Sequence, residues 1–222
     1  VTPDAEAEGL WRNCRDSLAH GLLHFSDLSS SDYGFHNRKW IILSVHHAAE
    51  VFCNYLLRRA DPSHPPRGRY PSLRDLIKLL QTHALWNTLA GTEREAVTDF
   101  FPPLTQLRNL LMHGAAPETL DVSDAAVAVL ALLILVNRQT GAPTDEFLSQ
   151  SPSIEYTVVD ELRTHQWPAY TAFVERVVAE EYPGDDWIYI VQCDYCGGQT
   201  RRRGESECRA CFHENDTTHD DD

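Results

Sequence analysis

The sequence predicts a mainly α protein, a helical bundle followed by a small C-terminal zinc ribbon. Three observations carry this. Apolar residues recur at three- and four-residue steps over most of the chain before Pro183. The segment Ala125 to Val136 is apolar on every side, as the central helix of a bundle is. Two Cys-x-x-C pairs lie near the C-terminal end, eleven residues apart, at the spacing of a four-thiolate metal site. The division that follows is a bundle over 1–183, a ribbon over 184–214 and a disordered acidic tail over 215–222.

Taken in order, Asp4 to Phe25 reads as the first helix, with Leu10, Trp11, Cys14, Leu18 and Leu22 on one stripe. Ser26 to Gly34 is rich in Ser and Asp and reads as a loop. Arg38 to Arg59 is the clearest amphipathic helix, striped by Ile41, Val45, Ala48, Phe52 and Leu56. Four prolines between Asp61 and Pro71 make a loop, in which Arg67, Arg69 and Tyr70 have the chemistry to touch a phosphate, although a solvated linker is the favoured reading. Ser72 is a good N-cap for a short helix through Leu80. Thr92 with Glu95 spells a capping box for a helix to about Phe101, which Pro102 and Pro103 interrupt or kink. Leu104 to Met112 continues helically and stops at Gly114. Ser123 or Asp124 caps the apolar helix, which ends before Gly141. Two more helices fit 153–165 and 168–181, and the β-formers 187–191 lead into the cysteines.

Composition narrows the function classes. Of 222 residues, 42% are apolar and 23% charged, which excludes collagen-like, fully disordered and disulfide-scaffold proteins. The twelve-residue apolar run is too short to span a bilayer, and no signal segment opens the chain, so a cytoplasmic protein with no membrane partner is expected. Net charge is −14, and a nucleic-acid partner therefore needs a local basic patch.

Cys193, Cys196, Cys208 and Cys211 form the two pairs. A Cys-x-x-Cys turn aims two thiolates at one point, and two such knuckles complete the tetrahedral site that Zn2+ prefers. Four thiolates leave no open position, so the zinc is structural, a staple for a ribbon too small to fold on its own core. Arg201, Arg202 and Arg203 lie between the knuckles, the one run of three positive charges in the chain. They are the best RNA-binding candidates, weighed evenly against a solvated hairpin with no partner. Cys14 and Cys53 sit on apolar helix faces and read as core.

The second motif is Arg108-Asn109-Leu110-Leu111-Met112-His113, followed by Gly114. The bare Arg-x4-His spacing recurs at Arg15/His20 and Arg59/His64, so spacing alone decides nothing. Only the copy at Arg108 has Asn after Arg, a helix-ending Gly after His and a Leu stripe before it. At about 100° per residue Asn109 and His113 point the same way, while Arg108 diverges. Either the helix loosens at its end, or the site is composite and uses the segment from two subunits. A surface His near a helix C-terminus, favoured there by the macrodipole, is the bland alternative.

This segment resembles the Arg-polar-x3-His motif of HEPN domains, the higher eukaryotes and prokaryotes nucleotide-binding family. The helix containing Ser44-Val45-His46-His47-Ala48-Ala49-Glu50-Val51-Phe52 is similar to that family's first core helix, and the apolar helix 125–136 follows in the family's order. The resemblance covers about 38–140 and leaves the ribbon outside. The Tyr found inside the motif of the toxin–antitoxin branch is absent.

The resemblance implies an up-and-down bundle that dimerises with its two motifs in one cleft. It also implies a metal-independent endoribonuclease, a toxin or antiviral defence effector, in which Arg108, Asn109 and His113 carry catalysis. RNA, a second copy and a protein regulator or antitoxin are the implied partners. Glu50 matches an acidic position of the first core helix in some members. The alternative is a non-catalytic dimeric adaptor whose ribbon docks a protein or nucleic acid. Zinc hydrolysis by His46, His47 and Glu50 is disfavoured, because adjacent helical histidines point about 100° apart.

Overall fold

A computed structural model describes residues 5–28, 34–64, 71–114, 120–148, 157–162, 166–182, 190–193, 198–202 and 208–210. The molecule is built on a long pair, α1 (Ala5–Ser26) against α2 (Gly34–Ala60). Cys14 Sγ donates to Ala48 O, His20 pairs with Ser44, and His24 pairs with Asn37. Numbers that rise on one helix as they fall on the other make the pair antiparallel. Cys14, Leu18, Leu22 and Phe25 meet Ile41, Val45, Ala48 and Phe52, all fully buried. The helices approach closely at Gly21, where an added Cβ would sit 3.3 Å from Ser44 and Val45 side-chain carbons.

α3 (Leu73–Thr82) follows the proline loop, and Ser72 caps it as its sequence predicts, accepting the Asp75 N–H. Leu73, Leu76 and Leu80 are its buried face. A 3-10 turn, Ala84–Thr88, leads to α4 (Gly91–Glu95), a π turn (Ala96–Phe100) and α5 (Phe101–Met112). The wide π turn comes just ahead of Pro102 and Pro103, so their rings fall in the first turn of α5, where a missing N–H is tolerated. α6 (Ser123–Thr140) is the central helix: from Ala125 to Val136 every residue except Ile134 is buried. It stops at Gly141, whose φ is +76°.

Two predicted caps are corrected. α4 begins at Ala90, whose N–H donates to Glu93 Oε2 at 2.7 Å, while Thr92 instead bonds Glu180 and Arg138. The N-cap residue of α6 is Val122, and the Ser123 N–H donates to Asp121 Oδ1 at 2.8 Å, so neither Ser123 nor Asp124 is the cap. The Thr92 hydroxyl is taken up by Glu180 and Arg138, and the Asp124 carboxylate accepts from Gln166.

Arg38 Nη1 donates to Leu120 O, and Arg59 Nη1 to Gln139 O, so α6 runs parallel to α2. α7 (Asp145–Leu148) and α8 (157–162) follow. Glu161 on α8 is gripped by both terminal nitrogens of Arg38 at 3.0 and 3.1 Å. α9 (Trp167–Glu181) lies alongside α6 in the same direction, because Gln166 bonds Asp124 while Arg138 bonds Val177 O and Glu180.

A two-stranded antiparallel ribbon follows, β1 (Ile190–Gln192) with β2 (Gln199–Arg202). The pairs are Ile190 with Arg202, Val191 with Arg201 and Gln192 with Gln199, with a register shift between Val191 and Gln192. Of the strand expected over 187–191, the last two residues fall in β1, and 187–189 lie outside the described residues. So do 215–222, where a tail was expected.

Candidate functional site

Gly114 fixes the end of α5. Its φ of +73° is a left-handed conformation that a side chain resists, so the helix terminates one residue earlier, at His113. The His113 N–H donates to Asn109 O at 3.0 Å, which closes the last turn. Its imidazole is exposed beyond that turn. Arg108 is half-buried, and its Nη1 donates to Asn109 Oδ1 at 3.2 Å. α5 stays α-helical to Met112, so the helix does not loosen between Arg108 and its last turn.

What Arg108 faces is the more informative result. Packing of α2 against α5 brings it within electrostatic range of His46 and Glu50. Burial, then the Arg108 guanidinium, then His47 push His46 down to about 4, so its ring is neutral at pH 7. Burial raises the Glu50 carboxyl, and Arg108 opposes that rise. His46 Nδ1 lies 3.6 Å from Glu50 Oε2, too long for a hydrogen bond and, with a neutral ring, not an ion pair. The arrangement is one cation set against a carboxylate and a neutral imidazole, all partly withdrawn from water.

The structure thus bonds Arg108 to Asn109 directly and sets it within electrostatic range of Glu50 and His46 on α2. Among the described residues it makes no side-chain hydrogen bond from His113 to either Arg108 or Asn109. The sequence reading named His46 only within the helix that carries the resemblance and as a dismissed metal ligand, and gave it no part in the Arg108 site. The signal was its position one turn before Glu50, on the same side of α2.

The two decoy pairs separate cleanly. His64 is buried, with Nε2 paired to Asn54 Oδ1 at 3.1 Å. Its carbonyl accepts from Arg58, so it is a packing residue. Arg15 is an ion-pair partner of Glu146.

At the ribbon, Cys193 and Cys208 are buried and not disulfide-bonded. The Ala210 N–H donates to Cys208 Sγ at 3.4 Å, and Thr200 Oγ1 lies 3.0 Å from the same sulfur. The Cys193 N–H donates to Gly198 O. An N–H from two residues on, aimed at a buried sulfur, is the environment that holds a thiolate ligand, and among the described residues Cys208 has it. Cys196, Cys211 and Arg203 lie outside the described residues, and Arg201 and Arg202 are described as β2 backbone alone. Among the described residues no three His, Cys, Asp or Glu side chains converge as a metal site.

The ribbon is anchored to the bundle. The Gln199 N–H donates to Glu175, and Arg209 pairs with Glu181 and the Tyr182 hydroxyl. Glu181 and its neighbour Glu180 also hold Arg138 of α6. No family model, curated protein or solved structure matches the chain, so the functional reading rests on its own residues.

Proposed function

We propose that the protein is a HEPN-type, metal-independent endoribonuclease that serves as a toxin or antiviral defence effector. The observation that carries this reading is the half-buried Arg108 set against Glu50 and His46, beside Asn109, with the exposed His113 one turn away. RNA cleavage through the ribose 2′-OH needs a proton acceptor, a proton donor and a counter-charge for the phosphorane oxygens. His113, in water and of ordinary residue type for the task, exchanges the protons. The planar fork of Arg108 braces the developing charge. Asn109 orients Arg108 or bonds the substrate. The 2′-oxygen attacks phosphorus, the bond to the 5′-oxygen breaks, and that oxygen takes the proton, leaving a 2′,3′-cyclic phosphate and a 5′-hydroxyl.

Arg108 and His113 diverge on a continuous helix, so the complete site is composite, two α5 ends from a homodimer. Leu110 and Met112 support this: they are 42% and 56% exposed on the same helix, beside Asn109 and His113. Zn2+ at Cys193, Cys196, Cys208 and Cys211 is structural, and Arg201, Arg202 and Arg203 offer the ribbon's phosphate contacts. A protein regulator or antitoxin completes the partner set.

The net charge of −14 favours a second reading, a dimeric adaptor whose ribbon docks a partner and whose motif is silent. Product chemistry separates the two. Incubated in EDTA, the ribonuclease yields 2′,3′-cyclic phosphate ends from single-stranded RNA and leaves DNA, which has no 2′-OH, uncut. Arg108→Lys keeps charge but loses the fork and lowers the rate. RNA left intact in EDTA, with and without a regulator present, leaves the adaptor.

A further inference from the structure

A second cluster lies nearer the start of α2, where α2 faces α1, on the strip of the helix that also carries Glu50. Trp40 is 38% exposed, and imidazoles surround it. The His24 ring is parallel to the indole within 14°, with centroids 6.3 Å apart. His20 and His36 stand nearly edge-on to it, with centroids at 5.7 and 6.1 Å. The inner ring nitrogens are engaged. His20 Nδ1 is 2.9 Å from Ser44 Oγ, and His24 Nδ1 is 3.0 Å from Asn37 Oδ1. Asn37 donates its amide nitrogen to Asp27 O, so its oxygen is the acceptor and His24 carries its proton on Nδ1. Beside Trp40, a groove of about 390 Å³ is lined by Asp16, His20, Leu43, Ser44 and His47, a volume in the range of small-ligand sites.

The chemistry of that lining selects its ligand. It contains no Lys or Arg, and its one formal charge is the Asp16 carboxylate. Burial, and the neighbouring His24, lower the basicity of His20, and burial lowers that of His47. At neutral pH the groove therefore offers a phosphate nothing. It offers a planar ring the exposed part of the Trp40 indole, and it offers an N–H donor the Asp16 carboxylate. At about 100° per residue, His36, Trp40, Leu43, His47 and Glu50 fall within roughly a quarter turn of α2. The strip runs from the indole to the carboxylate that Arg108 faces, about 15 Å along the helix, the reach of a few nucleotides of an extended strand.

We propose that the α1–α2 groove around Trp40, edged by His20, His24 and His47, is a base-stacking subsite for single-stranded RNA that takes an unpaired base with an exocyclic amino group. Trp40 supplies the stacking face, and Asp16 accepts from the amino group. Phosphates stay outside and run along α2 toward Arg108. This deepens the ribonuclease reading and rests on it for the choice of RNA as occupant.

The test is binding without cleavage. Short 2′-O-methyl oligomers of A, C or U, and an abasic oligomer of equal length, are titrated against the full chain by fluorescence anisotropy. The 2′-O-methyl group removes the internal nucleophile, so a failed cleavage reading does not affect the result. The A and C oligomers bind more tightly than U, and the abasic oligomer loses most affinity. Trp40→Ala weakens A and C binding by about 5- to 150-fold, the worth of one stacked base. Trp40→Phe retains most of it, which guards against a folding artefact. Asp16→Asn narrows the preference for A and C over U. Equal affinity for abasic and base-bearing oligomers, unchanged binding by Trp40→Ala, or no binding of any oligomer overturns the proposal. A Trp40→Ala variant that changes oligomeric state and not base dependence marks a self-association face and overturns it as well.

Discussion

Arg108 acts electrostatically on two residues that the sequence places about sixty positions earlier, and this has a direct signature. Replacing Arg108 by Ala removes a positive charge that disfavours protonated His46 and favours ionised Glu50. Both groups should then titrate higher, His46 moving up from about 4 and Glu50 rising further. Site-resolved NMR titration checks this, and unmoved values would separate Arg108 from α2. His46 also ties stability to pH. A histidine lowered in the folded state binds its proton first in the unfolded chain, so its contribution is present above about 6.5 and is lost as pH falls toward about 4. The loss amounts to as much as about 3 kcal/mol. Urea midpoints of wild type and His46→Gln should converge over that window, with wild type the more stable at pH 7. At this scale the sequence could place Arg108, Asn109 and His113 together at one helix end, because they fall within six residues of a single element. The pairing of Arg108 with Glu50 and His46 was not legible, since it depends on how α2 packs against α5.

The helices were legible because burial leaves a period in the sequence. Leu18, Leu22 and Phe52 were named by spacing and are fully buried, and the all-apolar α6 is the centre of the core. Caps were less legible. Thr92 looks like an N-cap, yet its N–H and hydroxyl go to Glu180, a partner supplied by α9. A local rule lost to a tertiary bond that no window of sequence contains. Two outcomes belong to this scale. Leu132→Ala in α6 removes a fully buried side chain and should cost about 2–5 kcal/mol in denaturant unfolding. Stripping metal from reduced protein should abolish ribbon order while leaving most far-UV helical signal, because the bundle keeps its own core. Elemental analysis should find about one Zn2+ per chain beforehand, four thiolates being one tetrahedral site.

For the molecule as a whole, the proposed ribonuclease function requires an acidic bundle to confine its positive charge to small places. Arg108 at the end of α5 and the Arg201–Arg202 pair in the sequence of β2 are the places the proposal uses, and the proposed Trp40 subsite addresses bases instead. Assembly follows from the same geometry. Light scattering should report a dimer, and Leu110→Glu with Met112→Lys should dissociate it and lower cleavage together, since those exposed side chains flank the motif. Loss of the dimer with full retention of cleavage would return the site to a single chain. The central claim is that His113 moves a proton during RNA cleavage, and the rate of single-stranded RNA cleavage in EDTA by wild type and His113→Ala measures it most directly. The account predicts a wild-type rate roughly 100- to 10,000-fold above the variant's. Equal rates would contradict it.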